Sequence, residues 1–177
     1  IKFSKGTGQT TLAFNALAAR ARSGATMTLS DPLLLAFTDK NIRMLADGHI
    51  QLAGGGFPDA KLVLDDGSLS RGFSRRVEMA TYKAGLSQLN IPALAFSPTR
   101  QGGTTIDGRI ILTGPLGDGQ ITGLQVPVSG YVARNGNFAL FRQCINLQFA
   151  SLRSASLTAG PTSARLCPQG NAIVSGN

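Results

Sequence analysis

Few residues in this chain have the types and spacing that chemistry needs. His49 is the only histidine, and Asp47 stands two positions before it. A base oriented by a carboxylate is therefore the one acid–base pair the local sequence offers. Extending it to a Ser-His-Asp arrangement calls for a serine on a strained turn, and no Gly-x-Ser-x-Gly elbow occurs. A metal centre needs several His, Cys or carboxylate ligands at close spacing, which Asp47 with His49 does not supply. Glu78 is the only glutamate. Lys5-Gly6-Thr7-Gly8-Gln9-Thr10-Thr11 has the outline of a phosphate loop, yet it lacks the Gly-Lys-Ser/Thr ending and leads into an alternating run instead of a helix. Gly54-Gly55-Gly56 fails on the same ground and reads as a turn or bulge between strands. The expectation is a protein with no catalytic residue, no metal and no cofactor.

Cys144 and Cys167 are the only cysteines. An even pair closing a moderate loop is compatible with a disulfide, which would stabilise the fold by about 3 kcal/mol. A disulfide would place the chain outside a reducing cytosol. Two buried free thiols are the alternative.

The strongest pattern is a repeat. Asp47-Gly48-His49-Ile50-Gln51-Leu52-Ala53-Gly54 returns as Asp107-Gly108-Arg109-Ile110-Ile111-Leu112-Thr113-Gly114. Leu35-Ala36-Phe37-Thr38 precedes the first copy and Leu94-Ala95-Phe96-Ser97 the second. Internal self-similarity of this kind constrains architecture, and the units span residues 33–54 and 92–114. A weaker third copy starts at Leu12-Ala13-Phe14-Asn15. His49 stands where the second unit has Arg109, so the position tolerates either side chain and reads as an exposed strand site.

These residues must be held by strands. Leu12, Phe14, Ala16 and Ala18 alternate with polar or small residues, as a half-buried strand requires. Met27 and Leu29 start a second alternation stopped at Asp31-Pro32, and Leu33, Leu35 and Phe37 resume it. Asp47-Gly48, between apolar alternations, predicts a hairpin turn, and its partner Asp107-Gly108 repeats the signal. Further turns are expected at Asp65-Asp66-Gly67, Gly114-Pro115, Gly117-Asp118-Gly119 and Asn135-Gly136. Residues 70–76 are the least strand-like stretch and read as a loop or short helical turn. Leu86, Leu89 and Ile91 fit a helix or a strand, and Pro92 closes the helical option. Roughly ten to twelve strands follow from this spacing. With 42% hydrophobic residues, 22 glycines and no tryptophan, the composition agrees: all-β, a repeated antiparallel β-sheet forming a curved groove or an open sandwich or barrel-like form, with little helix.

At 177 residues a single β-rich domain spanning 1–177 is expected. The chain opens at Ile1 and is read as a piece of a larger protein. No run approaches the roughly 18 to 20 apolar residues of a membrane-spanning helix. Net charge is +8, from 17 Lys plus Arg against 9 Asp plus Glu. This favours anionic partners, an anionic membrane surface among them, although the basic residues are dispersed except for Arg71, Arg75 and Arg76. With aromatics at 6% and two tyrosines far apart, no stacking platform exists and nucleic acid is not an expected partner.

The tail from Cys144 through Ile145, Leu147, Phe149, Leu152 and Leu157 to Leu166-Cys167-Pro168 resembles the C-terminal region of YdbH-like proteins within the AsmA-like group. The preceding Asp-Pro, Asp-Gly and Leu-x-Leu elements are similar in kind to that group's glycine-rich alternating strands. The resemblance implies a periplasmic parent protein anchored in the inner membrane of a Gram-negative bacterium. It also implies long sheets curved into an apolar groove, and a part in moving phospholipid between the two membranes. It carries over no catalytic residue. The candidates for lipid-facing or core positions are Phe37, Ile50, Leu52, Phe96, Ile110 and Leu112. They line either an ordinary closed core or a groove for phospholipid or another acyl-chain ligand, with other envelope proteins as further partners. The alternative function is a structural or carbohydrate-binding extracellular β module, which scarce tyrosine and absent tryptophan weaken.

Overall fold

The computed structural model describes residues 2–6, 9–14, 17–29, 33–38, 41–46, 48–68 and 72–176. Strand makes up 72% and no helix occurs among the described residues, so no helical layer is available to cover either face of the sheet. The strands are β1 (Lys2–Gly6), β2 (Gln9–Phe14), β3 (Leu17–Arg20), β4 (Thr26–Leu29), β5 (Leu33–Thr38) and β6 (Asn41–Ala46). There follow β7 (Gly48–Ala53), β8 (Ala60–Ser68), β9 (Gly72–Ala84), β10 (Ser87–Pro98), β11 (Thr104–Leu116) and β12 (Gly119–Val132). The last are β13 (Phe138–Leu140), β14 (Ile145–Phe149), β15 (Ser151–Ser154), β16 (Leu157–Ala159), β17 (Thr162–Leu166) and β18 (Val174–Gly176).

All 18 strands belong to one sheet, and every pairing is antiparallel between successive passes of the chain. β2 and β3 form one pass, pairing with β5 and β4 respectively. β6 and β7 form another, which meets β5 and β4 on one side and β8 on the other. The frame that pairs Leu29 with Ile50 also pairs Phe37 with Ile42. Both halves therefore belong to one antiparallel pair of passes, whose last described partners are Thr38 and Asn41. β9 to β12 continue as strands of 13, 12, 13 and 14 residues. Along β12 lie β13, β14 and β15 end to end, and beside these lie β18, β17 and β16. The sheet is an up-and-down meander that is not closed into a barrel. Passes, not segments, correspond to the runs legible in the sequence, but the alternation does not span every pass: Phe14 pairs with Leu33 and Leu17 with Leu29, so parity changes between β2 and β3, and Ala18, opposite Thr28, falls on the other face from Leu12 and Phe14.

Turn chemistry explains several reversals. Gly117, at φ 58°, makes the two-residue turn with Asp118 between the paired Leu116 and Gly119. The Asn135-Gly136 turn forms as expected: Gly136 has φ 91°, and the Asn135 Oδ1 accepts from the Asn137 N–H at 3.2 Å. Gly54, Gly55 and Gly56 all have positive φ, and a Cβ on Gly55 would overlap the Ala25 backbone. This loop thus packs against the one joining β3 to β4.

Other turn expectations are corrected. Asp107-Gly108 lies inside β11, with Asp107 opposite Ala95 and Ser129, and Gly108 opposite Leu94 and Val128. Gly48 opens β7, which does not pair with β6, so no hairpin is centred there; Asp47 lies outside the described residues, as do Asp31 and Pro32. Both glycines are used for clearance instead of reversal. A Cβ on Gly48 would come within 3.2 Å of Leu33 Cδ1, and one on Gly108 within 3.1 Å of Leu94 Cδ1 as well as into the Ala93 carbonyl oxygen. Gly114 and Pro115 are likewise within β11, and Asp65-Asp66-Gly67 is a register shift within β8. Residues 72–76 begin β9 instead of forming a loop.

The chain exposes 11576 Å², against about 8,200 Å² for a compact monomer of its mass. No described side chain falls below 2% exposure. Apolar residues are mostly half-buried, which is the signature of a thin structure without a sealed interior.

Candidate functional site

Directly opposed residues of antiparallel strands lie on the same face, so the registers define each face without ambiguity. One ladder runs Leu17, Leu29, Ile50, Leu62, Val77, Leu94, Gly108, Val128. The frame that pairs Gln125 with Gln148 sets Ile145 opposite Val128, and Ile145 pairs with Leu166. The line is thus apolar from one edge of the sheet to the other. Parallel ladders flank it: Met27, Leu52, Ala60, Met79, Ile91 on one side, and Leu64, Arg75, Phe96, Ile106, Gly130, Leu140, Val174 on the other. Arg75 is the exception, and its guanidinium lies over the Phe96 ring at 5.7 Å from the centroid, keeping the charge while the stem covers apolar surface.

The expected residues fall on this face. Ile50, Leu52 and Phe96 stand in these ladders; Ile110 pairs with Val126, and Leu112 with Leu89 and Leu124. Phe37 alternates with Leu33, whose side chain covers Gly48 on the same face. All but Leu112 are half-buried, and Leu112 is 37% exposed. Leu112, Leu89, Leu124, Leu116, Ile121 and Tyr82 line an apolar concavity of about 480 Å³. Leu62, Val77, Leu94 and Val128 share this face, and their place on it follows only from the strand pairing.

The opposite face is more polar, although Val63 and Ala36, each 3% exposed, are buried on it. His49, Val63, Arg76, Ala95, Asp107 and Ser129 form one of its ladders. His49 and Asp107 are therefore four strands apart, about 19 Å at the usual strand spacing; the Asp47–His49 pair lies outside the described residues because Asp47 does. Arg109 is exposed and donates to Gln125 Oε1 at 3.4 Å; His49 is half-buried, so the two repeat positions share a face but not an exposure. Arg76 pairs with Glu78 at 2.9 Å. No group of three or more His, Cys, Asp and Glu residues gathers among the described residues.

Cys144 and Cys167 form a disulfide, with Cα atoms 4.0 Å apart. It follows directly on the Ile145–Leu166 pair and closes the point where both outer passes leave the β12 frame. Fold and face together define an antiparallel sheet not closed into a barrel, with one face more apolar than the other and the outer passes stapled. No protein-family model, curated protein or solved structure matches the chain.

Proposed function

We propose that this chain is a non-enzymatic β segment of a periplasmic protein that carries or tethers phospholipid between inner and outer membranes, its apolar face receiving acyl chains. The observation that supports this is the apolar ladder from Leu17 to Leu166, interrupted only at Gly108, on a face where Leu29, Met79, Val128 and Ile145 are buried and most other apolar side chains are half-buried or exposed. An apolar sheet face ordinarily requires a covering layer, and a contiguous exposed apolar surface marks a place where another molecule sits. An acyl chain suits it because the ladder is nearly continuous, lacks directional polar groups, and runs across strands as a chain of methylenes can. The disulfide supports an oxidising compartment, and the basic surface favours anionic head groups. Native mass spectrometry of the purified chain is expected to show bound phospholipid, and a fluorescent acyl probe is expected to bind competitively with it. A lipid-free chain that also ignores the probe would overturn the reading.

A further inference from the structure

The two outermost passes bulge at the same place, and the bulge opens a second site on the polar face. The frame that pairs Gly130 with Leu140 is offset from the one that pairs Gln125 with Gln148, so residues 142–144, beyond Phe141 and its bond to Ser129 O, are extruded from the ladder. The matching extrusion opposite is 167–173, between β17 and β18. Between them lies a cavity of about 730 Å³ lined by Thr105, Ser129, Tyr131, Arg142, Gln143 and Asn171, with the backbones of Gly130 and Gly170. That volume is within the range of small-ligand sites. Thr105 opposes Tyr131, and Asp107 opposes Ser129, so the floor belongs to the face away from the apolar ladders.

The chemistry of the lining is specific. Tyr131 is half-buried, and a Cβ at Gly103 would overlap its ring and hydroxyl; the ring lies down on the glycine backbone, held in place on one side. Tyr131 also lines the cavity. Arg142, Gln143 and Asn171 are exposed at the walls, and among the described residues none of their side chains, nor the Tyr131 hydroxyl, spends its hydrogen-bonding capacity on the protein. The walls are nonetheless fixed: Phe141 N–H donates to Ser129 O at 2.8 Å, Ile173 N–H donates to Phe141 O at 3.2 Å, and the Cys144–Cys167 bridge closes the base.

We infer that this cavity binds a short saccharide, one sugar ring lying on Tyr131 with its hydroxyls taken by Gln143, Asn171 and Ser129. An aromatic ring backed on one side and planar amides at the rim meet the two needs of a sugar, an apolar ring face and a belt of hydroxyls. Arg142 adds selectivity for an acidic sugar, since a guanidinium pairs with a carboxylate through two parallel hydrogen bonds. Asp107 stands beside the floor with the opposite charge and excludes a ligand carrying acid groups at both ends. The site is on the opposite face from the proposed acyl surface and stands or falls independently of it.

The test is saturation-transfer NMR on the full oxidised chain with a uronic-acid-containing disaccharide, a neutral disaccharide and inorganic phosphate as probes. The acidic disaccharide is expected to bind most tightly, with ring protons receiving the strongest transfer. Arg142→Gln should weaken it about tenfold and bring it level with the neutral sugar. Tyr131→Ala should abolish both, and Asn171→Ala, in an exposed loop that leaves the ladder intact, should weaken both. Binding of phosphate as tight as that of the acidic sugar, unaffected by Tyr131→Ala, would overturn the proposal, as would absence of sugar binding in a chain whose disulfide is intact by mass.

Discussion

At the scale of single residues, the sheet is governed by where side chains are omitted. Gly108 pairs on both sides within β11, and a Cβ there would strike the Ala93 carbonyl oxygen and approach Leu94 Cα to 2.8 Å. Neither obstacle is the movable end of a side chain, so Gly108→Ala must displace β10 from β11. The expected cost is about 1–3 kcal/mol, the range for overpacking, read from the urea midpoint. Gly160→Ala is the control, because a Cβ at Gly160 meets nothing within 4 Å, and it should shift the midpoint by less than about 0.5 kcal/mol. Equal effects at the two positions would refute the clearance argument. The disulfide acts through the unfolded chain: with a separation of 23 residues, replacing both cysteines by serine should cost about 3 kcal/mol. The loss should be local, raising protease cleavage in 142–144 and 167–173 before elsewhere.

At the scale of elements, alternation decides which side of each strand joins the apolar face. Arg109, Ile110 and Leu112 lie within one strand, with Arg109 exposed on the polar face and Leu112 exposed on the apolar face. Leu112→Gln should therefore weaken acyl-probe binding at the concavity it lines while costing less than about 1 kcal/mol, since an exposed leucine loses little burial. Arg109→Gln should leave probe binding unchanged. If both variants bind the probe alike, β11 does not present the face as described. The same alternation made the strands legible: Leu12 and Phe14, Met27 and Leu29, and Leu33, Leu35 and Phe37 can be read from the chain without coordinates. What could not be read was the use of Asp107-Gly108. Glycine supplies both the positive φ of a turn and the clearance that lets Leu94 cross a strand, and sequence does not distinguish these needs. Register was hidden for a related reason: each bulge, as at Ile91-Pro92 or Leu64–Gly67, reassigns parity beyond it. The face of each of the six candidate residues was legible because each follows an alternation. The Tyr131 cavity was not, because it arises from two extrusions that meet only after the outer passes pair.

At the scale of the whole molecule, the absence of a sealed interior sets how the chain unfolds. Each pass is held by the passes beside it, and burial is shared between neighbours instead of gathered in one centre. Such a structure behaves as a quasi-one-dimensional array whose stability is a sum of nearest-neighbour terms, not as the all-or-none unit of a compact domain. The central passes β9–β12 carry the longest ladders. β1 and β3, at one end, pair with a single neighbour each. β16 and β18, at the other, are strands of 3 residues. Amide exchange followed by mass spectrometry should therefore be slowest in β10–β12 and quicken toward both ends, with opening free energies graded. The disulfide should interrupt that gradient by holding β14 and β17 above their neighbours β15 and β16, and reduction should restore a smooth decline. Uniform protection lost in one cooperative step would mean that the half-buried apolar faces share a common core. In that case the ladder from Leu17 to Leu166 would be interior packing, with no surface left for a ligand.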